Sequence, residues 1–259
     1  MSPYETAAPA PPAATTASAS ASGELRARVW ESVMAFDEAA TIRTVVRALD
    51  GGMGAEDLLL DVIASVQGRV GREWAANRIT VAQEHAATAI NDRAVTAIAL
   101  HPSARTEPTR GRVVVACVDG EWHALPARLL AEVLRLRGWR VDYLGAQVTA
   151  PHLVAHLHRT GPDAVALSGS LATRLPAAHA TITACQAVGT PVIAGGAAFG
   201  PGGRYAPPNL VIFHSCRSEP VGKPPSENDT SYLAIAEGRG LSVSRGPAPP
   251  QGYMYRYGA

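Results

Sequence analysis

The sequence predicts an α + α/β chain: a four-helix bundle, then a flavodoxin-like (Rossmann-type) parallel sheet, then an irregular C-terminal tail. Three observations predict this fold class. Residues 23–100 carry apolar side chains at helical spacing, and residues 112–196 alternate short apolar runs with helical intervals. Residues 201–259 hold nine of the twenty prolines and show no helical periodicity.

Composition divides the chain into five segments. Residues 1–22 are an Ala/Pro/Ser/Thr-rich tail that cannot bury a core, so we expect disorder there. Residues 23–100 should form the bundle, and the polar, proline-punctuated residues 101–111 a linker. Residues 112–200 should form the sheet domain. Residues 201–259 are atypical and largely disordered in this interpretation, either completing the fold or resulting from a shifted reading frame.

Local signals place the bundle helices. Apolar positions recur at helical spacing in one of them: Leu58, Val62, Ile63, Val66 and Val70. Gly51-Gly52 and Gly54 separate this helix from the preceding one. Thr80 and Gln83 have the spacing of a capping box, which predicts that another helix begins there.

Apolar runs place the strands at residues 112–118, 140–145, 163–168 and 191–196, and the run at 210–215 could add an edge strand. Continuous apolar strands that alternate with helices predict a parallel sheet covered on both faces. With right-handed crossovers the fold is doubly wound. Its ligand crevice should lie beyond the carboxyl ends of the first and third strands.

Polar segments follow both of those strands. The stretch DGEWHALP, residues 119–126, follows the first strand and sets His123 just beyond its end. Ser168-Gly169-Ser170-Leu171 follows the third. Both segments are therefore expected at the mouth of the crevice.

Composition and charge exclude several function classes. The net charge is +1 and 47% of the residues are apolar, which predicts neither a nucleic-acid patch nor a membrane-surface field. The three cysteines show no paired framework, and the sequence has neither a signal peptide nor an apolar run of about 20 residues. We expect a cytoplasmic protein that contacts neither nucleic acid nor membrane directly.

Three motifs at strand ends, together with the upstream bundle, resemble those of cobalamin (vitamin B12)-binding domains: Glu121-Trp122-His123, Ser168-x-Ser170 and Gly195-Gly196. The resemblance implies that His123 is the lower cobalt ligand in place of the cofactor's own benzimidazole. It also implies that Glu121 holds the second imidazole nitrogen. One position departs from the family pattern His-x-x-Gly, because Pro126 stands at the glycine's place.

The same resemblance assigns residues to the displaced nucleotide tail of the cofactor. Ser168 and Ser170 would hydrogen-bond the tail base, with Leu171 beside them. Gly195 and Gly196 would let the backbone approach the tail without an intervening Cβ.

A second motif lies in the bundle. Trp74 is followed by nine residues and then Glu84-His85, which resembles the W-x9-EH signature of adenosylcobalamin-binding caps in B12-dependent photoreceptor regulators. The resemblance implies that Trp74 covers the adenosyl group, that Glu84 accepts hydrogen bonds from ribose hydroxyls and that Val81 adds apolar packing. Ala75 stands where some photoreceptors have a cobalt-capturing histidine, for which His85 is a conceivable substitute. In the alternative interpretation Trp74 is bundle core and Glu84 only complements the helix dipole.

These motifs predict a cobalamin-binding sensor or regulatory protein rather than an enzyme. By resemblance it holds cobalamin base-off/His-on between cap and sheet domain, with adenosylcobalamin favoured over methylcobalamin, and responds to light. We expect no DNA-binding domain, so output would pass through a protein partner, such as a transcription regulator or a methyltransferase, or through self-association. Two alternatives stay open: the corrinoid carrier subunit of a methyltransferase system, and a degenerate member that no longer binds.

Overall fold

The described residues before the sheet are mainly helical, as predicted. The computed structural model describes residues 13–200, 204–206 and 211–213. Among the described residues, four longer helical segments lie before the sheet: α1 (Ala13–Met34), α2 (Glu38–Asp50), a continuous segment made of α3 (Ala55–Asp57), a π-helical turn (Leu58–Ile63) and α4 (Ala64–Ala75), and α5 (Val81–Leu100). A short 3-10 helix, Pro102–Ala104, follows α5. Contacts assign these helices, together with Arg128–Arg140, to one compact unit.

Helix α1 corrects one expectation. It begins at Ala13, inside the segment 1–22 that the composition predicted to be disordered. Alanine is the strongest helix former, so an Ala-rich segment can extend a helix that is anchored further along the chain. Residues 1–12 lie outside the described residues.

Side-chain caps mark the start of two bundle helices. Asp37 accepts a hydrogen bond from the Ala40 N–H at 2.8 Å and caps α2. The capping box at α5 is confirmed, because the Gln83 N–H donates to Thr80 Oγ1 at 3.2 Å and the Thr80 N–H donates to Gln83 Oε1 at 2.9 Å. The apolar side chains that predicted the third helical segment are buried: Leu58, Val62, Ile63, Val66 and Val70.

Five strands form a second unit together with helices on their flanks. The strands are β1 (Arg112–Cys117), β2 (Arg140–Gly145), β3 (Ala164–Ser168), β4 (Val192–Gly195) and β5 (Val211–Phe213), and their order is β2-β1-β3-β4-β5. The pairs β1–β3, β3–β4 and β4–β5 are parallel. The flavodoxin-like order is thereby confirmed, and β5 is the edge strand that the run at 210–215 predicted.

The remaining helices are α6 (Leu125–Leu136), α7 (Ala150–Thr160) and α8 (Leu175–Ala187). Gly161, the C-cap of α7, has φ +54°, the left-handed conformation in which glycine commonly ends a helix. Apolar side chains of β1, β3 and β4 pack with those of α7 and α8 in one buried cluster. This core fixes the register in which Cys117 of β1 pairs with Ser168 of β3, and Ser168 with Gly195 of β4.

Among the described residues, no helix combines the length and the apolar character needed to cross a bilayer. The rest of segment 201–259, apart from residues 204–206 and 211–213, lies outside the described residues, so the expectation of disorder there stays a prediction.

Candidate cofactor-binding site

The loop after β1 carries the candidate metal ligand. Beyond the strand the chain turns at Gly120, with φ +74°, and the Glu121 N–H donates to Val118 O at 3.0 Å. Helix α6 begins at Leu125, so Pro126 lies in its first turn, where a missing N–H costs little. The loop between these points presents His123, whose side chain is 44% exposed.

The Glu121 carboxylate connects the loop after β1 with the loop after β3. The side chain is fully buried. Its Oε1 accepts the His123 N–H at 2.9 Å and lies 2.6 Å from His123 Nδ1. Its Oε2 accepts the N–H groups of Ser170 at 2.6 Å and Leu171 at 3.2 Å. Both polar segments that the sequence placed at the crevice mouth therefore meet at one carboxylate.

These contacts keep the carboxylate charged. Burial alone would raise the pKa of Glu121, but hydrogen bonds from the His123 ring, the His123 N–H and the Ser170 N–H outweigh it. Together they lower the pKa from its ordinary value of 4.5 to about 2. An ionised carboxylate can only accept hydrogen bonds, so His123 Nδ1 carries the proton. In a neutral imidazole with that tautomer, Nε2 is the nitrogen that can coordinate a metal.

The loop after β3 contacts Glu121 through its backbone, whereas the sequence predicted a role for its side chains in binding the tail base. Ser170 and Leu171 contact Glu121 through their backbone N–H groups, which the sequence did not reveal. Ser168 is 1% exposed, and its Oγ has no hydrogen-bond partner among the described residues. A buried hydroxyl of this kind can bind a polar atom of a ligand, so the position fits the base of a nucleotide tail.

Gly196 is required by the protein backbone itself. Its φ is +106°, and a Cβ added there would lie 2.3 Å from the carbonyl oxygen of Gly169. The close approach of these two chain segments therefore explains the glycine independently of a ligand. Gly195 ends β4 opposite Ser168, and the Gly169 N–H donates to its carbonyl oxygen at 3.0 Å.

The W-x9-EH residues lie on the helical unit, as predicted, at the end of α4 and the start of α5. Trp74 is 42% exposed and Val81 is 54% exposed. The alternative that Trp74 is bundle core is thus wrong. Exposed apolar side chains at these two positions leave both available to a ligand. His85 is also exposed, with Nδ1 2.6 Å from Glu84 Oε2.

A chain of hydrogen bonds, missed at the sequence level, holds Glu84. Thr88 Oγ1 donates to Glu84 Oε1 at 2.8 Å, and Gln67 Nε2 donates to Thr88 Oγ1 at 2.7 Å. The fully buried Asn91 donates from Nδ2 to Gln67 Oε1 at 2.8 Å. The available signal was the i, i+4, i+7 spacing of Glu84, Thr88 and Asn91 on one face of α5. The chain extends from the core of the bundle to the carboxylate.

Comparisons with known proteins agree with this geometry. Two family models, both described as B12 binding domain, match residues 25–99 and 111–210. The HTH-type transcriptional repressors CarA and CarH of Myxococcus xanthus are 34% and 33% identical to the chain over 149 and 181 residues. These alignments cover 56% and 66% of this chain, but 47% and 59% of the two repressors. The chain thus spans about half the length of these relatives.

Two corrinoid proteins are also similar. Trimethylamine corrinoid protein 2 of Methanosarcina mazei is 22% identical over 154 residues, which are 59% of this chain and 71% of that protein. The solved structure of the Methanosarcina barkeri monomethylamine corrinoid protein superposes with a TM-score of 0.63 at 17% identity, covering 75% of this chain and 93% of that one. At this identity the match shows the fold alone.

Proposed function

Because the chain belongs to the B12 binding domain family over residues 25–99 and 111–210, we propose that it is a cobalamin-binding sensor or regulatory protein. In this proposal it holds adenosylcobalamin base-off, with His123 as the lower cobalt ligand. The observation that carries the proposal is the 2.6 Å contact between His123 Nδ1 and the buried Glu121 carboxylate. This contact supports the assignment of His123 as the metal ligand and of Glu121 as the residue that orients it.

Glu121 acts as the residue that orients the metal ligand. By keeping the proton on Nδ1 it fixes the tautomer in which Nε2 donates a lone pair, and it raises the basicity of the ring. Its second oxygen anchors this arrangement to Ser170 and Leu171 on the neighbouring loop. When bound, the corrinoid would supply a cobalt ion, which His123 would ligate and which would carry an adenosyl group. Ser168 Oγ would then bind the displaced tail base.

The preference for adenosylcobalamin rests on the helical unit. Trp74 and Val81 offer exposed apolar surface, and Glu84 offers a carboxylate held in place by Thr88. An adenosyl group needs both, because its base is flat and apolar on its faces while its ribose carries hydroxyls. Two relatives are named transcriptional repressors, which supports a regulatory role exerted through a protein partner or self-association. The W-x9-EH resemblance supports a response to light.

A second candidate is a corrinoid carrier that serves a methyltransferase, as the similarity to a trimethylamine corrinoid protein suggests. A methyl group offers no polar atom to a protein. The hydrogen-bonded Glu84 therefore favours the sensor, because a carrier of methyl groups has no use for a fixed acceptor on that face.

The test is the absorption spectrum of the purified chain after addition of adenosylcobalamin or methylcobalamin, in darkness and after green light. The proposal predicts a retained adenosyl complex with the base-off/His-on spectrum and a change on illumination. The variant His123→Ala should lose this spectrum, whereas the matched control His152→Ala, an exposed histidine on α7, should keep it.

Other outcomes contradict the proposal in different ways. A base-off/His-on spectrum in His123→Ala would refute the ligand assignment. Retention of methylcobalamin with rejection of adenosylcobalamin would favour the carrier. If the unmodified chain retains no corrinoid, it is a degenerate member and both functions are refuted.

A further inference from the structure

Arg174 lies against the loop that carries the metal ligand. It ends the short helical turn Ala172–Arg174 and precedes α8, on the segment that follows β3. A Cβ added at Gly120 would lie 2.7 Å from Arg174 Nη1 and 3.0 Å from its Cζ. The guanidinium therefore rests on the backbone one residue before Glu121, in space that a side chain at position 120 would occupy. The glycine that turns the β1 loop also makes room for this cation.

One nitrogen of the Arg174 guanidinium, Nε, is buried without a hydrogen-bond partner among the described residues. The nearby Glu121 carboxylate is already occupied by the N–H groups and the ring of the two loops. A buried donor without an acceptor costs about 1–3 kcal/mol, and more when it is charged. The site is therefore built for an acceptor that comes with a ligand, and an anion suits it best.

Ser168 gives a second, independent indication. Its Oγ, at the end of β3, is buried and also without a partner among the described residues. The segment that runs from Ser168 to Arg174 thus carries two buried polar atoms without a partner among the described residues, a hydroxyl oxygen and a guanidinium nitrogen. A ligand that brings both a polar base and an anionic group would supply a partner for each atom.

We infer that Arg174 binds the phosphodiester in the nucleotide tail of the corrinoid. This inference rests on the proposed function, because only a base-off corrinoid would bring its tail to this crevice. The phosphodiester is the one anionic group among the side chains of cobalamin, and it links the corrin to the base that Ser168 would bind. The planar guanidinium matches two phosphate oxygens at once. Arg174 then selects corrinoids that carry a complete tail.

The test compares cobalamin with cobinamide, which lacks the phosphodiester, the ribose and the base. Dissociation constants are measured by absorption titration for the unmodified chain and for Arg174→Gln. Loss of a charge-assisted contact should weaken cobalamin binding by about 10- to 100-fold. Cobinamide binding should change by less than about two-fold, since its contact with His123 is unaffected.

Two further variants sharpen the comparison. Arg174→Lys keeps the charge but not the planar donor pair, so its cobalamin affinity should lie between those of the other two proteins. The matched control Arg159→Gln removes an arginine of α7 that contacts His156, and it should leave both affinities unchanged. In the unmodified chain, added salt should weaken the binding of cobalamin more than that of cobinamide, because salt screens only the phosphate contact.

The outcomes separate this inference from the function on which it rests. Equal weakening of both corrinoids in Arg174→Gln would show that the arginine only supports the His123 loop, and it would overturn the inference. So would unchanged affinity for cobalamin. If the unmodified chain binds neither corrinoid, or if His123→Ala binds both as tightly as the unmodified chain does, the proposed function itself fails. Should Arg174→Gln fail to fold, the salt comparison and Arg174→Lys still decide the question.

Discussion

Replacement of Glu121 by glutamine tests the physical basis of the site. The carboxylate is fully buried, and three hydrogen bonds from His123 and Ser170 help lower its pKa from 4.5 to about 2. A difference of this size corresponds to about 3 kcal/mol of stability at neutral pH. Glutamine keeps the shape but offers one acceptor in place of two, so one set of donors is left facing an NH2 group. We therefore expect Glu121→Gln to lower the free energy of unfolding by about 3 kcal/mol near pH 7.

The contribution of Glu121 to the free energy of unfolding should decrease as the pH falls. A carboxyl whose pKa is lower in the folded state stabilises the fold fully above its unfolded pKa and loses that contribution as the pH falls toward its folded pKa. For Glu121 the window runs from about pH 4.5 down to about pH 2. By about pH 3, roughly 2 kcal/mol of the contribution should be lost in the unmodified chain. The difference in free energy of unfolding between the unmodified chain and Glu121→Gln should become smaller by the same amount.

Urea unfolding followed by circular dichroism, at several pH values between about 7 and 3, measures this difference. A difference that stays constant with pH would refute the reasoning, because it would show that the carboxylate is not held charged by the two loops. The control Glu132→Gln removes another buried carboxylate, which accepts hydrogen bonds from Arg128 and Arg135. It should leave the cobalamin spectrum unchanged, whereas Glu121→Gln should weaken the cobalt–imidazole bond.

Three further predictions concern the rest of the molecule. Gly196→Ala should lower the free energy of unfolding by about 3 kcal/mol or more, because it combines an unfavourable φ with a backbone clash at 2.3 Å. Gly189→Ala, with φ +78° and open space around it, should cost only about 1 kcal/mol; equal costs would contradict the clash. Thr88→Val should weaken adenosylcobalamin binding several-fold and leave methylcobalamin binding unchanged. The control Thr96→Val, which removes a hydroxyl that donates within its own helix, should leave the binding of both cofactors unchanged. Absorption titration measures the affinities for both cofactors. Burial raises the pKa of Cys117 to about 12, so its thiol should stay unreactive toward a thiol reagent at neutral pH until the chain unfolds, and rapid labelling of the native protein would contradict its burial.

Much of the fold could be predicted because its signals are local. Strands β1, β3, β4 and β5 are largely continuous apolar runs, whereas β2 includes Arg140 and Asp142. The observed bounds lie within about two residues of the predicted ones, an ordinary uncertainty at element ends. Thr80, Gln83 and Gly161 mark helix ends by chemistry that needs no tertiary contact. The start of α1 at Ala13 was missed because a low-complexity composition and a high helix propensity give opposite signals in the same segment.

The candidate site could be predicted only in part. His123 and Glu121 are two residues apart, so their pairing follows from spacing once the strand end is known. The contact between Glu121 and Ser170 joins residues 49 positions apart, and no local pattern encodes it. The same is true of Arg174 and Gly120, which meet only because β1 and β3 are neighbours in the sheet. Contacts of this kind require the register of the fold.

The central claim is that His123 coordinates cobalt in place of the cofactor's own base. Electron paramagnetic resonance of the cobalt(II) form, bound to protein labelled with nitrogen-15 histidine, tests it most directly. Coordination by His123 should change the nitrogen splitting of the cobalt signal from a triplet to a doublet on labelling, and the labelled His123→Ala variant should show no doublet. A triplet that survives labelling would show that the benzimidazole remains on the metal, and it would contradict the account.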